Sequence, residues 1–168
     1  MSEFRKCART AEAAMRSVFP ATPLQLNAHL SARFGADIWL KREDLTPVRS
    51  YKLRGAFNAM RKRRSDNPDQ RIFVCANMCK HFDVTGVIFM PVTTPQQKIF
   101  KTQVFGGDNV EIRLVGDYFD DTLAAAQTYC AEVDAAFLSP FDDEDVIEGQ
   151  ASVAVEIEDQ LGKTPDHI

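Results

Sequence analysis

Ile38-Trp39-Leu40-Lys41-Arg42-Glu43-Asp44, followed by Ser50-Tyr51-Lys52-Leu53-Arg54-Gly55-Ala56, is the part of the chain whose reading governs all the rest. The first segment reads as extended. The second reads as the start of a helix, with Ser50 as N-cap and Leu53, Ala56, Phe57 and Met60 on one apolar stripe. Lys52 then falls in the first turn, where backbone N–H groups are free and the helix dipole is positive. An amine becomes a nucleophile when burial or nearby positive charge lowers its pKa, and the same helix end attracts a phosphate-bearing partner. Lys52 is therefore expected to carry chemistry rather than to lie on the surface as a solvated side chain.

Outward from this point, helices and strands alternate. Residues 6–18 carry Cys7, Ala11, Ala14, Met15 and Val18 at helical spacing, closed by Pro20. Thr22-Pro23-Leu24 opens an extended entry, and a short helix over 27–34 precedes the strand at 38–41. After the Lys52 helix, Ile72–Ala76 and Val84–Met90 read as buried strands. Thr94-Pro95 is an N-cap with proline at the first position of a helix running to about Phe105. Val110, Ile112 and Leu114 alternate as a strand, residues 118–133 form a helix, and 136–138 a short strand. A last helix over 145–161 is stopped by Gly162. The order predicts an α/β fold, a mostly parallel three-layer sheet with flanking helices. One join is anomalous: parallel strands need a crossover of about a dozen residues, whereas Asn77-Met78-Cys79-Lys80-His81-Phe82-Asp83 supplies seven. The module looks shortened there by one loop and most of one helix.

Composition narrows the class. At 168 residues and 45% apolar content the chain can bury a core of ordinary size. A net charge of −4 gives no reason to expect nucleic acid, and the basic run Arg61-Lys62-Arg63-Arg64 is read as the closing turn of a helix, where cations offset the dipole. No segment approaches the roughly 20 apolar residues of a membrane span, and no signal-peptide stretch opens the sequence; a cytoplasmic protein is expected. The four cysteines are expected to be small core residues. Cys75-x-x-x-Cys79-x-His81 lacks a fourth ligand for zinc, so no metal is expected.

The words around Lys52 carry more than its position. Lys41-Arg42-Glu43-Asp44-Leu45-Thr46-Pro47 and Ser50-x-Lys52-x-Arg54-Gly55-Ala56 resemble the cofactor-lysine motif of the fold-type II pyridoxal phosphate enzymes, and most closely biosynthetic threonine dehydratase. The likeness continues in order through Phe89-Met90-Pro91, Pro95-Gln96-Gln97-Lys98, Val115-Gly116-Asp117-Tyr118-Phe119-Asp120 and Pro140-Phe141 to Gly149-Gln150. It implies that Lys52 holds pyridoxal phosphate through its amine and takes the α-proton of the substrate. Tyr51 stands where the family usually has phenylalanine beside the cofactor face. The implied reaction turns L-threonine into 2-oxobutanoate and ammonia on the way to isoleucine; serine dehydratases and racemases share the lysine motif and form the alternative within the group.

The resemblance also marks what the chain lacks. At Val74-Cys75-Ala76-Asn77 the family carries a Ser-x-Gly-Asn-His-type loop that holds the cofactor ring, and its glycine-rich phosphate loop lies beyond Ile168. Gly106-Gly107 is explained by a helix C-cap. The implied layout is a partial large domain, 1–64 with 143–168, and a small α/β domain over 70–142. Little or no turnover is expected of this incomplete unit. Besides an amino-acid substrate, the partners to expect are a second copy of the chain or an intact homologous subunit, in which case the chain is a non-catalytic module.

Overall fold

The computed structural model describes residues 2–74, 78–139 and 141–168. Cys75 and Asn77, on which the zinc and ring-loop readings touched, lie outside the described residues. The elements follow in the order α1 (Glu3–Met15), β1 (Leu24–Leu26), α2 (Ala28–Phe34), β2 (Trp39–Lys41), α3 (Lys52–Asp66), β3 (Ile72–Val74), α4 (Cys79–Phe82), β4 (Thr85–Met90), α5 (Gln96–Gly106), β5 (Val110–Leu114), α6 (Phe119–Val133), β6 (Ala136–Phe137) and α7 (Glu144–Leu161). Strands β1 and β2 pair antiparallel as a small ribbon, and the other four form a parallel sheet in the order β5-β4-β3-β6. The α/β class expected from the alternation is the one found.

Side chains from alternate positions of β4 feed the two faces of the sheet, as the pleat requires. Val87, with Val74, packs against Ala126 of α6, and Phe89 and Tyr129 flank them. On the opposite face Phe73, Ile88 and Met90 meet Phe57 and Met60 of α3, Cys79 of α4 and Val110. Among the described residues no helix is long and apolar enough to cross a membrane.

The short join between β3 and β4 is resolved differently from the sequence expectation. The two strands remain parallel, with Ile72 opposite Thr85 and Phe73 opposite Gly86. The described part of the join, residues 78–84, holds the single-turn helix α4. Left-handed backbone brackets that turn, at Met78 (φ 77°) and Asp83 (φ 51°). The turn lies close to the sheet because position 86 is glycine: a Cβ there would come within 2.4 Å of the Cys79 sulfur.

Behind the sheet, α3 packs on α7 and α1. The α3–α7 crossing is close at Gly55 and Gly149. A Cβ on Gly149 would meet the Arg54 carbonyl oxygen at 2.5 Å, and one on Gly55 the Val146 side chain at 2.7 Å. The basic run of α3 does not act as a solvated dipole cap. Lys62 pairs with Asp145 and Glu148, Arg63 with Asp143, and Arg64 donates to the Phe82 carbonyl. These cations tie α3 to the start of α7 and to the β3–β4 join, since α3 runs on to Asp66 and carries them along its flank.

Element ends shift by small amounts. α1 begins at Glu3, because the Ser2 hydroxyl caps it by accepting from the Arg5 N–H. α5 begins at Gln96, since Pro95 itself is still extended (ψ 135°). α7 begins at Glu144, where the Asp143 carboxylate accepts from the Asp145 and Val146 N–H groups.

Candidate active site

Lys52 is the first residue of α3, and its side chain reaches a cavity of about 270 Å³. The cavity opens at the C-terminal ends of the parallel strands, with Val74, Met90 and Leu138 in its wall. The chain runs β3, β4, β5 to one side of the sheet and then returns to place β6 on the other side of β3. In open α/β sheets that reversal leaves a crevice at the strand ends where ligands bind. The apolar lining is completed by Ala56, Ala126 and Val146 from α3, α6 and α7.

The start of α3 differs from the expectation in one respect that matters for chemistry. Ser50 does act on the helix end, but its hydroxyl takes the Lys52 N–H (3.3 Å), its carbonyl takes the Leu53 N–H (3.4 Å), and the Tyr51 carbonyl takes the Arg54 N–H (3.1 Å). Tyr51 is already helical (φ −62°, ψ −22°), so the turn closes on itself. Those three donors are engaged within the chain and are not free for a phosphate. Lys52 is exposed at the cavity rim rather than buried. Its ammonium lies 5.1 Å from the Phe141 ring centre and 5.8 Å from that of Tyr51, within cation–π range. Tyr51 is 48% exposed, which leaves its hydroxyl to solvent. Among the described residues no carboxylate lies within ion-pair distance of Lys52.

Directly behind Lys52 the helix is anchored by a buried charge cluster. Arg54 is fully buried; it donates to Glu43 at 2.8 Å, to Glu156 at 2.7 Å and to the Ser152 hydroxyl at 3.0 Å. Glu156, 2% exposed, also accepts from Lys41 (2.6 Å), Arg16 (2.6 Å) and the Thr22 N–H (3.1 Å). Burial alone pushes the Glu156 carboxyl up, but the hydrogen bonds from Arg54 and Lys41 outweigh it and hold its pKa at about 2. For Arg54 burial likewise opposes the charge, and bonds to Glu43 and Glu156 overcome it, so its pKa is raised. Lys41 goes the other way: burial outweighs its bond to Glu156 and draws the ammonium below its ordinary value. The cluster joins α1, β2, α3 and α7 and fixes the turn that carries Lys52.

The fit to pyridoxal phosphate can be tested on these residues. An amine and an apolar slot suit its aldehyde and ring. The Oε1 atom of Gln150, at the cavity, is buried without a partner and is ready to accept a hydrogen bond. Lys52 and Lys98 are the charged residues of the lining, a sign that suits an anion. A glycine-rich phosphate cradle is absent among the described residues. The residues present thus fit the reactive end and the ring of the group.

Of Lys52 and Tyr51, the two residues singled out in the sequence, Lys52 lines the cavity, whereas Tyr51 is not part of the lining and only sets its ring 5.8 Å from the Lys52 ammonium. Lys98 and Gln150 stood inside quoted motifs without a role. The buried partnership of Arg54 with Glu156 was not foreseen.

Comparison with known proteins agrees with this picture. A family model described as pyridoxal-phosphate dependent enzyme matches residues 16–168. The L-threonine dehydratase biosynthetic IlvA of Lactococcus lactis subsp. lactis is 43% identical over 159 residues, covering 89% of this chain and 38% of the relative. That of Bacillus subtilis is 41% identical over 164 residues, covering 92% and 39%. The processed form of threonine deaminase isoform 2 from Solanum lycopersicum superposes with a TM-score of 0.80 at 32% identity, covering 94% of this chain and 46% of that one. A pyridoxal 5'-phosphate-dependent aspartate racemase shares the fold, with a TM-score of 0.86 at 21% identity. The chain therefore spans about two fifths of the length of the curated relatives it matches.

Proposed function

The chain belongs to the family of pyridoxal-phosphate dependent enzymes, and from that premise we propose that it is a threonine dehydratase unit whose Lys52 carries the cofactor. The proposed reaction converts L-threonine to 2-oxobutanoate and ammonia. The observation that carries this reading is the placement of Lys52 at the first position of α3, facing an apolar crevice at the strand ends with no carboxylate among the described residues of its lining.

When bound, the cofactor supplies an electron sink for the charge that develops on the α-carbon. The remaining work belongs to side chains. The Nζ of Lys52 takes the α-proton, held in register by the Arg54–Glu156 cluster two residues along the same helix. The apolar walls from α3, α6 and α7 keep water from the reacting carbon. The Phe141 and Tyr51 rings flank the amine at the mouth.

The engaged amides at the start of α3 support weak cofactor retention and low turnover. The reading divides the chain into a cofactor-lysine part, 1–64 with 143–168, and a small part over 70–142. A cytoplasmic location goes with it.

Pyridoxal phosphate followed by borohydride and peptide mass spectrometry tests the assignment. Lys52 should be labelled ahead of the other lysines, and Lys52→Ala should abolish that label. Even labelling of surface lysines would reject it. Release of 2-oxobutanoate from threonine at the rate of an ordinary dehydratase, abolished by Lys52→Ala, would overturn the low-turnover reading.

A further inference from the structure

We propose that Lys98 and Gln150 form a ligand-recognition pair in the cavity, Lys98 taking a carboxylate and the Gln150 Oε1 atom accepting from a hydroxyl or ammonium group of the same small molecule. The identity of that molecule as a hydroxy amino acid rests on the reading above; the site itself does not.

Three side-chain N or O atoms are buried without a partner among the described residues: Arg16 Nη1, Arg61 Nε and Gln150 Oε1. Only the Gln150 atom belongs to the cavity lining. A buried acceptor without a donor is costly, and native structures retain one where something else satisfies it. Its amide nitrogen lies beside α3, where a Cβ on Gly55 would meet it at 2.8 Å. The acceptor thus sits near the α3 turn that follows Lys52.

Lys98, on the first turn of α5, supplies the complementary charge. Among the described residues its ammonium has no ion pair, and no Asp or Glu lines the cavity to compete for it. The donors at the start of α3 are already engaged, so the anionic end of a ligand has Lys98 to turn to while Lys52 is occupied with chemistry. An uncharged apolar molecule would leave the Gln150 acceptor unsatisfied. A small zwitterion with a hydroxyl group matches both that acceptor and Lys98.

The test follows the Gln150 side-chain amide in nitrogen-15 spectra of the whole chain, without cofactor, on titration with L-threonine, L-2-aminobutyrate (no hydroxyl) and 1-amino-2-propanol (no carboxylate). L-threonine should give a saturable shift. Lys98→Gln should weaken L-threonine about tenfold or more, the scale of a lost hydrogen bond to a charged group, and leave 1-amino-2-propanol unchanged; Lys98→Arg should restore it. Gln150→Met, read from the backbone amides of α7 instead, should bring L-threonine and L-2-aminobutyrate to the same affinity. Absence of a shift at Gln150, or weakening of all three compounds alike by Lys98→Gln in a chain whose spectrum is otherwise unchanged, would overturn the proposal. Loss of borohydride labelling at Lys52 with the L-threonine shift intact would reject the cofactor reading and leave this site standing. Intact labelling with no shift would do the reverse.

Discussion

Replacing Glu156 by glutamine probes the anchor behind Lys52. In the folded chain its carboxylate accepts from Arg54, Arg16, Lys41 and the Thr22 N–H while only 2% exposed. Its pKa falls from an ordinary 4.5 to about 2, which at about 1.4 kcal/mol per unit corresponds to about 3 kcal/mol of linked stability. Because the folded value is the lower one, this stability is fully present above pH 4.5 and is lost as the pH falls through 2. Glu156→Gln removes it at neutral pH and leaves Arg54, fully buried, with Glu43 as its remaining carboxylate partner. Breaking a buried pair from one side costs about 3–5 kcal/mol. Urea unfolding followed by far-ultraviolet circular dichroism should therefore show the variant about 3–5 kcal/mol less stable at pH 7. That gap should narrow by about 3 kcal/mol between pH 5 and pH 2, as the unfolded carboxylate takes up its proton ahead of the native one. A gap below about 1 kcal/mol at pH 7, the level of an exposed ion pair, or one that does not change with acid, would refute the argument.

Other consequences follow from the same packing. Gly149→Ala drives a methyl to 2.5 Å from the Arg54 carbonyl oxygen and should cost about 1–3 kcal/mol by overpacking; a wild-type urea midpoint would show that α3 and α7 can part without penalty. Asp143→Ala removes the α7 cap and the Arg63 partner together and should cost about 1–2 kcal/mol, most of it the cap, read as a lower thermal midpoint; no change would mean that water replaces both. Phe100, Val104, Tyr118, Phe119 and Phe141 are exposed, which predicts self-association or low thermal stability of the chain alone. A monodisperse monomer with a sharp, high melting transition in sedimentation and calorimetry would contradict that.

Local sequence determined the elements and their order. Apolar spacing along Leu53, Phe57 and Met60 marks the buried face of α3, and Gly162 ends α7, because each depends on residues within a turn or two, whereas α1 ends at Met15, ahead of the Pro20 expected to close it. The position of Lys52 at a helix start was legible for the same reason. Tertiary structure decided what that start can do. Whether its N–H groups are free depended on how Ser50 and Tyr51 close the preceding turn, and that conformation is not encoded in the identity of the cap residue. The seating of α4 against the sheet where Gly86 meets Cys79, beside the parallel β3–β4 pair, is a contact between a turn and a strand face. The charge cluster joins Arg54 to Glu156 across 102 positions of sequence, and the cavity brings Lys52, Lys98 and Gln150 together from three helices. Periodicity has no means of expressing such pairings, because it records which way a side chain points along its own element and not which distant polar atom burial will leave beside it.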